Sequence, residues 1–208
     1  MKIDYSCYLV TDESCLNGKD LCEAVREALE GGVTMVQYRA KNQDGGAMYE
    51  MAKKLKAICD EFSVPLIIND RVDVALAVGA AGVHLGQSDL PCKVARELAR
   101  SYGFIIGVSA HNVEEANQAL MDGATYLGCG AVFGSNTKSD ADYLGLEGLK
   151  AICDDVYLPV VGIGGVNISN YADVIKAGAS GAAIVSGILG ADDIKEAANK
   201  ICQIKKEL

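Results

Sequence analysis

Residues 65–84 read PLIINDRVDVALAVGAAGVH, and this stretch decides the fold. Pro65 to Ile68 is a short apolar run without polar alternation, as a strand covered on both faces should be. Asn69-Asp70-Arg71 interrupts it, and Val72 to Val78 continues as a short helix. Gly79 then supplies the left-handed residue that ends a helix, and Gly82 to His84 forms a second apolar run. Strand, helix and strand at this spacing make one βαβ unit of a parallel sheet.

The same alternation continues in both directions. Further strands are expected at Cys7 to Val10, Val33 to Gln37, Phe104 to Gly107, Tyr126 to Gly128, Pro159 to Gly162 and Ala182 to Val185. Helices are expected at Asp20 to Glu30, Ala47 to Glu61, Lys93 to Ser101, Val113 to Met121, Leu146 to Asp154, Asn170 to Lys176 and Ala191 to Lys205, with Ser169 capping the seventh of the eight. Four helices end in a near-repeat with glycine at Gly31-Gly32, Gly79, Gly123 and Gly178. Eight strand–helix pairs without a linker or composition shift predict an α/β protein, a closed (β/α)8 TIM barrel forming one domain over residues 1–208. The main alternative is an open doubly wound sheet. It is weakened because no Gly-x-Gly-x-x-Gly follows the first strand.

Half of the residues are hydrophobic, enough for an independent core, and the formal net charge is −9. That charge argues against a nucleic-acid or acidic-membrane partner, since both need a cationic face. It leaves room for anionic small molecules held by a few local cations, and for a homo-oligomer. The eight cysteines form no Cys-x-x-Cys pair and several sit in apolar runs, so reduced structural thiols are expected. No basic start followed by a long apolar run opens the chain, and no apolar run approaches a membrane span. A cytoplasmic location is therefore expected.

In such a barrel the chemistry sits just beyond the C-terminal ends of the strands. After strand two, alternation puts Gln37, Arg39 and Lys41 on one side, a plausible pyrophosphate clamp or else a solvated basic loop. Asp70 and Asp89 follow strands three and four, where two carboxylates could share Mg2+. Alternatively, Asp70 pairs with Arg71 and Asp89 caps the next helix. His84 reads more readily as a satisfied structural histidine than as a general base. Ser109 and His111 invite a nucleophile reading, but no acidic partner is identifiable and no Gly-x-Ser-x-Gly elbow is present. Ser135-Asn136-Thr137-Lys138 after strand six, and the glycine-rich loops Gly162-Ile163-Gly164-Gly165 and Val185-Ser186-Gly187, suit phosphate. The mouth thus offers two anion sites, as an enzyme joining or rearranging two phosphorylated compounds would need.

Across nearly its whole length the sequence resembles the thiamine phosphate synthase family. The resemblance is carried by Tyr8-Leu9-Val10-Thr11-Asp12, Val36-Gln37-Tyr38-Arg39-Ala40-Lys41, Asn69-Asp70-Arg71 and Gly82-Val83-His84-Leu85-Gly86-Gln87-Ser88-Asp89-Leu90-Pro91. Later matches are Gly107-Val108-Ser109-Ala110-His111, Thr137-Lys138, Gly145-Leu146-Glu147-Gly148-Leu149 and Gly162-Ile163-Gly164-Gly165-Val166. It implies a transferase that condenses 4-amino-2-methyl-5-hydroxymethylpyrimidine diphosphate with thiazole phosphate, releasing pyrophosphate through a pyrimidine cation. It further implies that Gln37, Arg39, Lys41, Asn69, Ser109 and Lys138 bind the pyrimidine diphosphate. Of these, Arg39, Lys41, Ser109 and Lys138 would serve the reaction itself. Asp70 and Asp89 would hold Mg2+, and Ser135, Asn136, Thr137, Gly165, Val185 and Ser186 would bind the thiazole phosphate.

The family commonly has a proline after the strand-six glycine and a Pro-Thr-x-Thr-Lys run, where Ala131, Gly134 and Ser135 stand here. Ala40 replaces a more usual glutamate. These departures bear on thiazole-side affinity more than on the reaction. Competing readings are a thiazole tautomerase-like barrel, which has no use for a diphosphate clamp, a generic phosphate-binding isomerase barrel, and a non-catalytic sensor of thiamine-pathway phosphates.

Overall fold

Eight parallel strands hydrogen-bond in sequence order and the last pairs with the first, closing a barrel, in a computed structural model that describes residues 3–100, 103–134 and 143–207. The elements alternate as β1 (Cys7–Val10), α1 (Leu21–Glu30), β2 (Met35–Tyr38), α2 (Gly45–Glu61), β3 (Leu66–Asn69), α3 (Val72–Val78), β4 (Gly82–Leu85) and α4 (Cys92–Ala99). They continue as β5 (Ile105–Ala110), α5 (Val113–Met121), β6 (Tyr126–Cys129), α6 (Gly145–Asp155), β7 (Val160–Ile163), α7 (Tyr171–Lys176), β8 (Gly181–Ile184), α8 (Ser186–Leu189) and α9 (Ile194–Glu207). The expected (β/α)8 barrel is the fold observed, with element ends that coincide or shift by up to three residues.

The strands carry two sets of apolar side chains. Leu9, Val36, Ile68, Ile106 and Leu127 face outward and pack under the helices in one large core. Their alternating neighbours Tyr8, Met35, Ile67, Ile105, Tyr126 and Val161 form a separate cluster that fills the barrel interior. A period of two thus serves two cores at once, which is why the strands read as continuous hydrophobic runs.

Helix starts follow side-chain chemistry. Asp20, Asp44 and Asn112 cap α1, α2 and α5 by accepting backbone N–H bonds in the first turn. The four helix-ending glycines adopt positive φ at Gly32, Gly79, Gly123 and Gly178, as the near-repeat requires. Ser169 does not cap α7. Asn170 occupies that position, and the Ser169 hydroxyl donates instead to Asn167 Oδ1 at 2.6 Å. Where the sequence suggests a glycine-rich loop after β8, the chain forms α8, whose four residues are too few to show a helical period. All eight cysteines are free thiols. Among the described residues, no helix is long and apolar enough to cross a membrane.

Candidate active site

Above the apolar plug of the barrel, the inward positions turn polar. Gln37 on β2, Asn69 on β3, His84 on β4 and Ser109 on β5 line a cavity of about 530 Å3 at the C-terminal mouth. Lys41, Asp70 and Asp89 line its rim, so the residues singled out after strands two, three and four converge there. A smaller cavity of about 90 Å3 adjoins it, with Gly164, Gly165, Val185 and Ser186 in its wall. Arg39, Ser109 and His111 belong to both.

Asp70 follows β3 in a left-handed conformation, φ +63°, and its backbone N–H donates to the His84 carbonyl at 2.8 Å. A non-glycine residue held there costs free energy, and such residues gather at functional sites. Burial, and then the hydrogen-bonding Asp89 carboxyl beside it, push the Asp70 carboxyl up to about 6, while Lys41 and Arg39 pull it back. Two crowded carboxylates with cations close by fit a hard cation of the Mg2+ kind, whose shell waters and substrate phosphate oxygens complete. Among the described residues no three His, Cys, Asp or Glu side chains gather to cage a metal without substrate.

The alternative roles for these aspartates do not hold. Arg71 pairs with Asp73 at 2.6 Å, not with Asp70. Asp89 Oδ2 accepts the Gly86 N–H at 2.7 Å, and Pro91 occupies the N-terminal position of α4 without a side-chain cap.

Arg39 is pre-set rather than loose. Its Nη1 meets Asp12 Oδ2 at 3.0 Å, and its backbone N–H donates to Thr11 Oγ1 at 2.9 Å. Asp12 also lines the smaller cavity. Asp12 stands inside the Tyr8-Leu9-Val10-Thr11-Asp12 motif, but nothing in the sequence joins it to Arg39, 27 positions on.

On the other side of the mouth, Gly165 has φ +67°, and a Cβ there would overlap the Phe133 carbonyl oxygen. Only glycine lets the β7 loop lie this close to the loop after β6. Val185 and Ser186 stand at the start of α8, where N–H groups lack intrahelical partners. Ser135, Asn136, Thr137 and Lys138 lie outside the described residues.

The reading that His111 lacks an acidic partner is overturned. Glu115, in the first turn of α5, accepts from the His111 backbone N–H at 2.9 Å and lies 2.9 Å from its Nδ1. An i,i+4 spacing across a helix start was the available signal. His84 is indeed a satisfied histidine, 2.9 Å from the Tyr126 hydroxyl and 3.1 Å from Ser109 Oγ. Sequence reasoning missed its partner Tyr126, and Tyr8 beyond it, because inward tyrosines in an apolar run look like core.

Three comparisons bear on this geometry. A family model described as thiamine monophosphate synthase matches residues 7–188. A thiamine-phosphate synthase of Clostridium acetobutylicum is 50% identical over 205 residues, covering 99% of this chain and 97% of the relative. One from Ruminiclostridium cellulolyticum is 48% identical, with 98% and 96% covered. Among solved structures, a thiamine phosphate pyrophosphorylase from Pyrococcus furiosus superposes with a TM-score of 0.91 at 43% identity, covering 99% of this chain and 97% of that one. A 3-hexulose-6-phosphate synthase, at 20% identity and a TM-score of 0.68, shares the fold alone. With a family model over most of its length and relatives nearly half-identical along almost all of it, the chain belongs to the thiamine monophosphate synthase family of transferases.

Proposed function

We propose that the chain joins 4-amino-2-methyl-5-hydroxymethylpyrimidine diphosphate to thiazole phosphate, forming thiamine phosphate and pyrophosphate. The observation that carries this reading is the pair of adjoining cavities with a shared wall at Arg39, Ser109 and His111. One cavity is rimmed by cations and paired carboxylates, and the other by backbone and small side chains. Two anionic substrates meeting end to end need that arrangement.

The pyrimidine methylene–oxygen bond breaks and its electron pair leaves with pyrophosphate. The aminopyrimidine ring spreads the resulting positive charge, and the thiazole nitrogen lone pair closes the new carbon–nitrogen bond. Atoms and charge balance without a protein nucleophile. Asp70 and Asp89 would hold Mg2+, which when bound supplies positive charge to the diphosphate oxygens. Arg39 and Lys41 neutralise the same oxygens, Arg39 with its guanidinium already oriented by Asp12. Lys138, which follows β6 in sequence, would add a further cation. Gln37, Asn69 and Ser109 hold the pyrimidine. Ser135, Asn136, Thr137, Gly165, Val185 and Ser186 hold the thiazole phosphate in line for attack, so that much of the rate comes from positioning.

The barrel would act in the cytoplasm on small molecules. A tautomerase-like barrel would leave the carboxylate pair without work. The test is direct: incubate the purified protein with both substrates and Mg2+, and measure thiamine phosphate and pyrophosphate. Equal amounts of the two support the reading, and neither product at any Mg2+ concentration refutes it.

A further inference from the structure

A hydrogen-bonded chain crosses the floor of the larger cavity. Gln37 Nε2 donates to the Tyr8 hydroxyl at 2.8 Å, and the Tyr8 and Tyr126 hydroxyls lie 2.7 Å apart. The Tyr126 hydroxyl is 2.9 Å from His84 Nδ1, and His84 Nε2 is 3.1 Å from Ser109 Oγ. All five residues border the cavity; Gln37 and Ser109 end the chain, while Tyr8 and Tyr126 are fully buried.

Each hydroxyl has one proton to give, so the first bond sets the sense of the whole chain. With the Gln37 amide donating to it, the Tyr8 hydroxyl donates to the Tyr126 oxygen, and the Tyr126 hydroxyl donates to His84 Nδ1. His84 is then the Nε2–H tautomer and donates to Ser109 Oγ, which leaves the Ser109 proton to donate into the cavity. At the opposite end, Gln37 Oε1 bonds to no described residue. No buried side-chain nitrogen or oxygen among those residues lacks a partner, so Oε1 is an acceptor open to the cavity. Burial pushes both phenols up, so both keep the protons the relay needs.

Two neighbouring strands leave space for it. A Cβ on Gly107 would overlap the Tyr126 ring and hydroxyl, and one on Gly128 would come within 2.8 Å of His84 Cε1. Glycine weakens a strand interior, so two of them facing these two rings point to the relay and not to the sheet.

We propose that Tyr8, Tyr126 and His84 are positioning residues. They fix Gln37 as an acceptor and Ser109 as a donor, so that the floor selects a heteroaromatic ring offering an amino N–H to one and a lone pair to the other. The identity of that ring as the aminopyrimidine rests on the function proposed above. The relay itself does not.

The test has two arms. In 15N-histidine-labelled, unliganded wild-type protein, the His84 Nδ1 resonance should be that of a lone-pair nitrogen and Nε2 that of a protonated one. The Nδ1–H tautomer overturns the proposal. In the kinetic arm, Tyr126→Phe, which keeps the ring, should lower kcat/KM for the pyrimidine diphosphate about tenfold. It should leave the thiazole phosphate KM unchanged. Combined with Ser109→Ala, it should add little to the serine loss, because both break one chain. Wild-type kinetics in Tyr126→Phe, or fully additive losses, would overturn the relay. Should Tyr126→Phe fail to fold, Tyr8→Phe gives the same readout, and the tautomer stands independently. A wild-type protein that converts neither substrate would instead sink the proposed function, with the tautomer still deciding the relay.

Discussion

On the β2–β4 side of the mouth the chain presents charged side chains, Arg39, Lys41, Asp70 and Asp89, whereas on the β7–β8 side it presents mostly backbone, at Gly164, Gly165 and Val185. The first side is held under tension: Asp70 sits at φ +63° against a second carboxyl. The second is held by shape, since Gly165 lies where any Cβ would strike Phe133. A group that must respond to developing charge is built from ions. One that grips a charge already present can be built from N–H groups and space.

The contrast breaks most visibly at the aspartates. Asp70→Asn or Asp89→Asn should cost about 10²-fold or more in kcat/KM in steady-state assays. The same Asp70→Asn change should stabilise the metal-free protein at neutral pH. Because folding raises the Asp70 pKa from 3.8 to about 6, its stabilising contribution is complete below pH 3.8 and lost as pH rises through about 6. At neutral pH the crowded carboxylate therefore opposes folding. Solvent screening at the rim keeps the gain small, about 2–4 °C in Tm, as about 1 kcal/mol gives in a chain of this size. Loss of activity with a lowered Tm would mean that the pair is structural.

The glycine side should fail differently. Gly165→Ala forces the loop away from Phe133, and the KM for thiazole phosphate should rise about tenfold, on the order of 1.4 kcal/mol. The KM for the pyrimidine diphosphate should stay within a few-fold. Equal damage to both would erase the distinction between the two sides.

How far the sequence was legible follows the same division. The barrel was readable because the strands serve two cores and lose their polar alternation, and because glycine ends four helices in register. The charged side was readable only as residues following strand ends at the mouth. The structural alternatives, an Asp70–Arg71 pair and an Asp89 cap, fall only once Arg71 is seen on Asp73 and Asp89 on the Gly86 N–H. The Asp12–Arg39 pair and the Tyr8–Tyr126–His84 relay were not, since both join strands that only barrel closure brings together. Glu115 was within reach, four residues from His111, but it reads as an ordinary acidic residue of the first helical turn.

Acid sharpens the comparison with a smaller effect. As pH falls below about 6, Asp70 takes up a proton and must lose it to bind a cation, so Mg2+ affinity should weaken progressively. Thiazole phosphate affinity should not follow Asp70. Calorimetry across pH 5–8 checks both. Smallest of all should be Ser135→Thr, which restores the family's residue and keeps the hydroxyl. Thiazole phosphate binding should hold or improve, and a loss beyond about tenfold would show that the loop has been assigned the wrong role.

The most direct measurement is calorimetric titration of wild-type and Asp70→Asn protein with inorganic pyrophosphate, with and without Mg2+, and separately with thiazole phosphate. If the mouth holds two independent anion sites, pyrophosphate binds the wild type with Mg2+, much more weakly without it, and fails to bind Asp70→Asn. Thiazole phosphate then binds both proteins alike. Pyrophosphate binding that is indifferent to Mg2+ and to Asp70, or thiazole phosphate binding lost together with it, would contradict the division.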